Sequence, residues 1–151
     1  MEIVEATIDD LDRVAEICLQ VGELHSEIFK KRTIEDDKKM LEPIISSTDD
    51  DDIMYIAKED HIIKGFCIIT AKSKAPSYKN NKVGFIESMG VDKKYHKEGI
   101  GKTLINKAKE WTKEKELSKL ELNVYTFNDN AVKFYENLGF EKFSQRMDVN
   151  I

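Results

Sequence analysis

The stretch VDKKYHKEGIGKT, residues 91–103, joins a predicted strand to an amphipathic helix through a turn that contains two glycines. The first turn of a helix has unpaired backbone N–H groups and the positive end of the helix dipole. Because Gly99 and Gly101 have no side chains, an anion can approach these N–H groups closely. The stretch therefore predicts a phosphate site on the amides of residues 97–103. A Gly-x-Gly turn that only redirects the chain is the alternative.

Two common nucleotide-binding motifs do not fit this turn. A Walker A loop needs a glycine, four variable residues and then Gly-Lys-Ser/Thr, and this spacing is not present. A Rossmann fingerprint needs a third glycine and an early strand, whereas this turn lacks that glycine and comes late in the chain. The predicted phosphate site therefore belongs to another kind of protein.

The residues after the turn form the clearest helix in the sequence, because their apolar positions recur at three- and four-residue steps. Alternation, capping residues and chain breakers indicate the other elements. In chain order these are a strand over residues 3–6, a helix that opens at a Thr7/Asp10 capping box, a short helix or loop over 22–32, a helix over 33–45 that contains Pro43, strands over 53–58, 61–71 and 82–92, the helix from Gly99, a strand over 120–125, a helix over 129–138 that ends at Gly139, and a strand over 140–149. This order predicts a single α+β domain over residues 1–151, with one central sheet and helices on its faces.

Composition narrows the class of partner. The chain has 24 Lys and Arg against 29 Asp and Glu, and its formal net charge is -5. Proteins that bind phosphate backbones usually have a basic excess, so we expect no nucleic acid partner. No apolar stretch is long enough to span a bilayer, and the N-terminal sequence MEIVEATIDD has acids where a signal peptide has bases. We therefore expect a cytoplasmic protein with no membrane partner.

The cysteines and histidines are too scattered to predict a metal site or a disulfide. Cys18 and Cys67 each lie in an apolar periodic segment, where a buried free thiol is the usual outcome. The three histidines, His25, His61 and His96, are too far apart in the sequence to match the short spacing of metal ligands. We expect no metal.

A second motif follows the turn one strand later. The segment NDNAVKFYENLGF, residues 128–140, places Asn128 before a helix, Tyr135 within it and Gly139 after it. Together the two segments resemble the hallmark of the GNAT superfamily of acetyl-CoA-dependent N-acetyltransferases, a Gln/Arg-x-x-Gly-x-Gly/Ala turn followed by an Asn…Ala…Phe-Tyr…Gly-Phe helix. The resemblance is close over residues 83–143. It implies a mixed, mostly antiparallel sheet that splays into a V between two parallel strands, residues 85–91 and 120–125.

The resemblance also implies acetyl-CoA as co-substrate. In that family the glycine turn holds the pyrophosphate of coenzyme A, and the backbone of the preceding strand pairs with the pantetheine arm. His96 stands where the family usually has Gln or Arg, which is a departure from the pattern. Asn128 fits both an N-cap and a contact to the cofactor arm. The implied cofactor-binding residues are Met89, Gly90, Val91, His96, Lys97, Glu98, Gly99, Ile100, Gly101, Lys102, Thr103, Asn128 and Tyr135.

Acetyl transfer to an amine needs two proton-handling groups, because the amine must lose a proton and the departing thiolate must be stabilised. By the resemblance, Tyr135 is the residue that donates a proton or hydrogen bond to the sulfur. A phenol with a pKa of about 10 is protonated near neutral pH and can do so. Its helical spacing to Ala131 and Leu138 fits a core residue equally well.

Glu87 is the candidate base. It lies four residues before Val91, where some members of the family carry a glutamate that takes the amine proton directly or through water. On a regular strand Glu87 shares a face with Val83, Phe85, Met89 and Val91. A salt-bridged glutamate at the rim is the alternative, and a bulge in this strand would redirect the side chain.

The acceptor half of the sequence has no motif that identifies an amine. His25 in the early helical region and Tyr78 in the loop before the Glu87 strand are candidates to line the acceptor site, although a lone histidine on a helix is more often structural. The sequence predicts transfer to a primary amine of a small molecule by direct attack in a ternary complex. A protein or peptide acetyltransferase and a non-catalytic coenzyme A-binding module are the alternatives, and a homodimer is compatible with the family.

Overall fold

A computed structural model describes residues 1–151. None of its helices has both the length and the apolar character that crossing a membrane requires. In chain order the strands and helices are β1 (Glu2–Glu5), a 3-10 turn (Ile8–Asp10), α1 (Leu11–Glu23), α2 (Ile34–Ile45), β2 (Asp52–Glu59), β3 (Ile62–Ser73), β4 (Lys82–Val91), a second 3-10 turn (Lys93–Tyr95), α3 (Ile100–Glu114), β5 (Leu120–Leu122) and α4 (Asp129–Asn137).

The five strands form one mixed sheet in the order β1-β2-β3-β4-β5. Neighbouring strands are antiparallel except β4 and β5. These two are parallel, and they pair only from Gly84, opposite Leu120, to Ile86, opposite Leu122. The predicted mixed, mostly antiparallel sheet is therefore confirmed.

Both faces of the sheet are covered by helices, as predicted. Successive residues of a strand point to opposite faces, and β3 shows this clearly. Phe66 belongs to a core cluster with Val14 of α1 and Leu41 of α2. The next residue, Cys67, belongs to a second cluster with Leu104 of α3, against which residues of α4 also pack. The sheet therefore separates an α1/α2 side from an α3/α4 side.

Local hydrogen bonds explain where the first two helices begin. Asp10 accepts a hydrogen bond from the backbone N–H of Thr7 at 2.8 Å, so the predicted box precedes α1. Thr33 and Asp36 form a reciprocal capping box at the start of α2. Pro43 lies in the last turn of α2, where its missing N–H affects one hydrogen bond and the helix still reaches its end at Ile45.

For residues 22–32 the sequence predicted a short helix or a loop; α1 continues to Glu23, and residues 24–32 form turns and a loop. Two other predicted elements differ from the structure. The strand predicted over 120–125 ends at Leu122, because β4 and β5 diverge and no ladder continues. The strand predicted over residues 140–149 does not form, and the backbone of residues 141–151 makes no hydrogen bond within the protein. Alternating apolar and polar residues predict a strand, but a strand forms only where a neighbouring strand pairs with its backbone N–H and C=O groups.

Candidate active site

Glu87 lies in a β-bulge of β4. On β3, Ile68 pairs with Ser88 and the next residue, Ile69, pairs with Ile86, so Glu87 has no partner of its own. Its side chain is exposed. The bulge that the sequence left open is therefore present beside the splay.

The extra residue reverses the alternation of β4. A Cβ on Gly84 would lie 2.4 Å from Oγ1 of Thr112, so Gly84 faces α3 and its neighbour Phe85 faces away. After the bulge, Met89 and Val91 pack against the core cluster on the α3 side. The prediction that Glu87 shares one face with Val83, Phe85, Met89 and Val91 is therefore wrong, because that face exists only on a strand without a bulge.

β4 has an open edge beyond the bulge. The ladder with β5 stops at Ile86, so the β5-facing backbone groups of residues 87–91 pair with no strand. This stretch includes Met89, Gly90 and Val91, for which backbone contacts to a pantetheine arm were predicted. An extended ligand that carries amide groups can hydrogen-bond to such an edge as a strand would.

Six consecutive backbone N–H groups are free at the start of α3. The amides of residues 97–102 donate no hydrogen bond within the protein. The amide of Thr103 donates to the carbonyl of Gly99 at 3.1 Å, and the Thr103 hydroxyl donates to the same oxygen at 3.0 Å. Thr103 therefore closes the first helical turn, and the predicted set of amide donors shortens by this one residue.

The two glycines of the turn have different structural roles. Gly99 has a φ of 80°, in the left-handed region, and a Cβ there would meet no atom within 4 Å. A Cβ on Gly101 would instead lie 3.0 Å from Cζ of Phe134 on α4. Gly99 therefore permits the turn, and Gly101 permits α4 to pack against the start of α3. The second role was not predicted from the sequence.

His96 turns back toward β4. Its Nε2 donates a hydrogen bond to the carbonyl oxygen of Val91 at 3.0 Å. The side chain that replaces the family's Gln or Arg therefore contacts the end of the open edge. Next to it, a cavity of about 240 Å³ separates the end of α1 from the turn, and it is lined by Gln20, Val21, Glu23, Leu24, Val91, Lys93 and His96.

Asp92 anchors the turn to the rest of the protein. Its carboxylate is buried and accepts hydrogen bonds from Arg13 of α1 and from the backbone N–H of Lys94. The side chain of Gln20 accepts from the backbone N–H of Lys93 at 3.0 Å. Sequence reasoning missed these contacts. An aspartate directly after a buried strand was the available signal, since a carboxylate in that place needs a partner.

Tyr135 is largely enclosed on the α3/α4 side of the sheet. Its ring centroid lies 5.2 Å from that of Phe134 and 5.7 Å from that of Phe140. Burial, with a smaller contribution from nearby Cys67, raises the pKa of Tyr135 to about 12. Cys67 pairs with Met89, so the phenol lies near the open part of β4. The ring thus packs as a core residue does and also keeps its proton at physiological pH.

The remaining predicted site residues are spread over the fold. Oδ1 of Asn128 accepts from the backbone N–H of Ala131 at 3.2 Å, which confirms Asn128 as the N-cap of α4. His25 lies in a group of aromatic rings at the end of α1. Tyr78 is exposed and lies against Lys74, whose Nζ is 4.8 Å from the ring centroid. The structure therefore does not bring Tyr78 into the His25 group.

The open sheet edge beside an amide-lined turn is the arrangement that the resemblance to acetyltransferases implied. The chain belongs to the acetyltransferase (GNAT) family, whose model matches residues 18–140. Curated relatives include streptothricin acetyltransferase A of Bacillus subtilis (strain 168), which is 32% identical over 97 residues, 61% of this chain and 54% of the relative. N-alpha-acetyltransferase 60 of Xenopus tropicalis is 30% identical over 141 residues, 89% of this chain and 57% of the relative. The chain thus spans little more than half the length of these two relatives.

Solved structures share the whole fold. The tetramutant of the BH1408 protein from Bacillus halodurans superposes with a TM-score of 0.90 and 25% identity, covering 100% of both chains. Aminoglycoside N-acetyltransferase AAC(6')-Iy, in complex with CoA, superposes with a TM-score of 0.76 and 18% identity over 99% of this chain and 98% of that chain. The GNAT-like fold class is therefore confirmed.

Proposed function

We propose that this chain is an acetyl-CoA-dependent N-acetyltransferase that acts on a primary amine of a small molecule by direct attack in a ternary complex. One observation carries the proposal. The six free amides of residues 97–102 lie directly after a strand whose edge is open. A diphosphate fits the first group and an amide-bearing arm fits the second. Coenzyme A contains both in that order.

Two comparisons support acetyl-CoA as the co-substrate. The family match includes the turn and the Tyr135 helix. AAC(6')-Iy, which shares the fold, was crystallised with CoA. In this chain, residues 97–102 would hold the pyrophosphate through their N–H groups, and the backbone of Met89, Gly90 and Val91 would pair with the pantetheine arm. Asn128 would keep its capping bond and contact the arm at its outer side.

The chemistry assigns the proton acceptor to the bulge of β4 and the proton donor to α4. Glu87, exposed at the bulge, accepts the proton of the incoming ammonium, so that the amine nitrogen forms a C–N bond to the acetyl carbon. A backbone N–H near Met89 polarises the acetyl carbonyl. As the C–S bond breaks, Tyr135 gives its proton to the departing sulfur, and the nitrogen returns its second proton to the phenolate, which leaves a neutral amide and a free thiol. Burial keeps that phenol protonated, since its pKa is about 12.

A second acceptor class is supported by the relatives. N-alpha-acetyltransferase 60 matches 89% of this chain, a larger share than streptothricin acetyltransferase A. Transfer to a protein or peptide N-terminus is therefore the alternative function. The same cofactor site and the same two proton-handling residues would serve either acceptor, so the choice depends on a direct screen.

The first test is calorimetry with coenzyme A on the purified protein. Gly99→Ala provides the variant and Gly139→Ala the matched control, because both glycines have positive φ and open space around the missing Cβ. Both changes strain the backbone, by about 1 kcal/mol, but only Gly99 lies in the turn. We expect saturable binding that Gly99→Ala weakens and Gly139→Ala does not. Absence of any binding at millimolar coenzyme A would refute the proposal.

The second test is a thiol-release screen with acetyl-CoA. Amino acids, polyamines, aminoglycosides and short peptides are offered as acceptors, and free thiol is measured over time. Turnover with small amines supports the proposed acceptor class, and turnover restricted to peptides supports the alternative. Binding of coenzyme A without turnover on any acceptor would instead support a non-catalytic binding module.

A further inference from the structure

Four aromatic side chains from two distant segments meet beside the open part of the sheet. His25 and Phe29 lie between α1 and α2, and Tyr125 and Phe127 follow β5. The His25 ring centroid is 5.2 Å from that of Tyr125, 6.0 Å from Phe127 and 6.2 Å from Phe29. The rings of Tyr125 and Phe127 stack at 5.4 Å. We refer to these four residues as the aromatic cluster.

One side of the cluster is connected to β4 through α1. His25 hydrogen-bonds to Val21 one helical turn earlier, with Nδ1 2.9 Å from the carbonyl oxygen. Val21 in turn packs on Gly90, since a Cβ on Gly90 would lie 2.6 Å from Cγ2 of Val21. Gly90 belongs to the open edge of β4. The cluster therefore lies on the α1/α2 side of the sheet, next to that edge.

The other side of the cluster is connected to the splay through β5. Tyr125 is three residues beyond Leu122, the last residue of β5. Leu122 pairs with Ile86, which directly precedes the bulge at Glu87. A three-residue step spans at most about 10 Å. The cluster therefore flanks the point where the two parallel strands part, opposite the side that holds Tyr135.

The segment that contributes His25 and Phe29 is anchored by an ion pair between the half-buried Arg32 and a buried carboxylate of α2. Nε of Arg32 donates to Oδ1 of Asp37 at 2.6 Å, and Asp37 is fully buried in α2. The Arg32 guanidinium also lies against Gly22, where a Cβ would come within 2.4 Å of it. Gly22 and Arg32 bound the segment on either side. Its rings are therefore positioned by the core and not only by each other.

The cluster offers ring faces, the Tyr125 hydroxyl and one imidazole nitrogen. Phe29, Tyr125 and Phe127 are 43%, 44% and 48% exposed. Grouped exposed rings indicate a binding surface, whereas single ones do not. Ring faces attract ammonium groups and cover apolar groups. The Val21 carbonyl can only accept, so Nδ1 of His25 is the donor of this hydrogen bond. In that tautomer Nε2 is an acceptor, and it has no partner in the protein.

We propose that the aromatic cluster is the acceptor subsite and that it selects an arylalkylamine or alkylamine, an ammonium carried next to an apolar ring or chain. The ammonium donates to Nε2 of His25, and the rings of Tyr125 and Phe127 cover the apolar part. A polyhydroxylated amine would place hydroxyl groups against ring faces that cannot pair them. This inference rests on the proposed function, since it names the acceptor of that reaction.

The test uses phenethylamine as acceptor and measures KM and kcat by thiol release, with the Kd for coenzyme A measured by calorimetry. Tyr125→Ala and Phe127→Ala should each raise the KM for phenethylamine about tenfold, the size of effect that the loss of an aromatic contact produces. Neither should change the Kd for coenzyme A. His25→Phe keeps a ring and removes the acceptor nitrogen, so it should raise KM as well. Phe143→Ala removes an exposed ring outside the cluster and serves as the control.

The outcomes separate this inference from the function on which it rests. If Tyr125→Ala and Phe127→Ala had the same KM for phenethylamine as the control Phe143→Ala, the proposed subsite would be overturned. A lower KM for kanamycin or for a tripeptide than for phenethylamine would overturn the acceptor class. If the protein bound no coenzyme A, the proposed function would fail first. Phenethylamine binding is then measured by saturation-transfer NMR, in which signal lost in Tyr125→Ala but kept in Phe143→Ala would still support the subsite, and equal signal would overturn it.

Discussion

Arg13 of α1 donates a hydrogen bond from Nη2 to Oδ2 of Asp92 at 2.5 Å, and so connects the first helix to the residue that follows β4. The free amides of the turn begin five residues after Asp92. The same carboxylate caps the short 3-10 turn through the backbone N–H of Lys94. The position of the proposed pyrophosphate site therefore depends on a contact between residues that are 79 positions apart.

Asp92→Asn should destabilise the protein by about 2 kcal/mol, because it weakens hydrogen bonds to a buried charged group. Burial raises the pKa of Asp92, but the hydrogen bonds from Lys94 and Arg13 lower it by more, and the net pKa is lowered. A carboxylate with a lowered folded pKa stabilises the fold above its unfolded pKa and loses that contribution as the pH falls through the folded value. The difference in free energy of unfolding between Asp92→Asn and the wild type should be largest near neutral pH and should shrink below about pH 4.

Urea unfolding at several pH values measures this difference, and the exposed Asp9 supplies the control variant Asp9→Asn. A difference that stays constant from neutral to acidic pH would show that the Asp92 charge is not what stabilises the turn. We also expect Asp92→Asn to weaken coenzyme A binding, since the turn loses its anchor.

Gly101 and Phe134 should show strong energetic coupling. Alanine favours a helix over glycine by about 1 kcal/mol, but a Cβ on Gly101 would lie 3.0 Å from the Phe134 ring. Gly101→Ala should therefore destabilise the wild type by about 1 kcal/mol, as overpacking does, and should stabilise a Phe134→Leu background. A double-mutant cycle in urea measures the coupling. Equal effects in both backgrounds would show that the ring does not restrict this position.

Tyr135→Phe should lower kcat by about 100-fold, the typical contribution of a general acid, and should weaken coenzyme A binding far less, since a single hydrogen bond to the sulfur is lost. Because burial raises the pKa of Tyr135 to about 12, the phenol stays protonated as the pH rises to about 10. The wild-type rate should then have no decline from Tyr135 in that range. A basic limb that is present in wild type and absent in Tyr135→Phe would contradict the assignment.

Glu87→Gln should lower kcat/KM by about 100-fold near neutral pH, because it removes the proposed base and keeps the size of the side chain. The loss should become smaller at high pH, where the acceptor amine has already lost its proton. Glu42→Gln, another exposed glutamate, is the control. A loss that is the same at every pH would indicate a positioning role for Glu87 instead.

Neither cysteine should react in the folded protein. Burial raises the pKa of both Cys18 and Cys67 to about 12, and the thiolate is the reactive form. With a disulfide reagent at mildly alkaline pH we expect no labelling before unfolding and two labelled thiols after it. Fast labelling of either thiol in the native state would show that local unfolding exposes that cysteine. The result also decides whether thiol-release assays need a correction for the protein itself.

Much of the fold was predictable because the deciding signals are local. The turn at Gly99, the helix after it and the Asn128 cap depend on residues within a few positions of each other. The end of β5 and the state of residues 140–149 were predicted wrongly, because alternation describes one strand and not whether a neighbour pairs with it. Of the candidate site, the amides of the turn were predicted from the sequence and Tyr135 was implied by the resemblance, whereas the Asp92 anchor was not predicted.

The sequence by itself indicated the family, most of the element order and the glycine turn that begins α3, since each is encoded in short-range spacing. Only the tertiary structure decided that Glu87 falls in a bulge, because a bulge is defined by pairing with β3. The same holds for the contact between His25 and Tyr125, which are 100 residues apart and come together only when α1 packs on the sheet whose last strand is β5. Such contacts arise from packing between segments, and no periodicity along the chain records them.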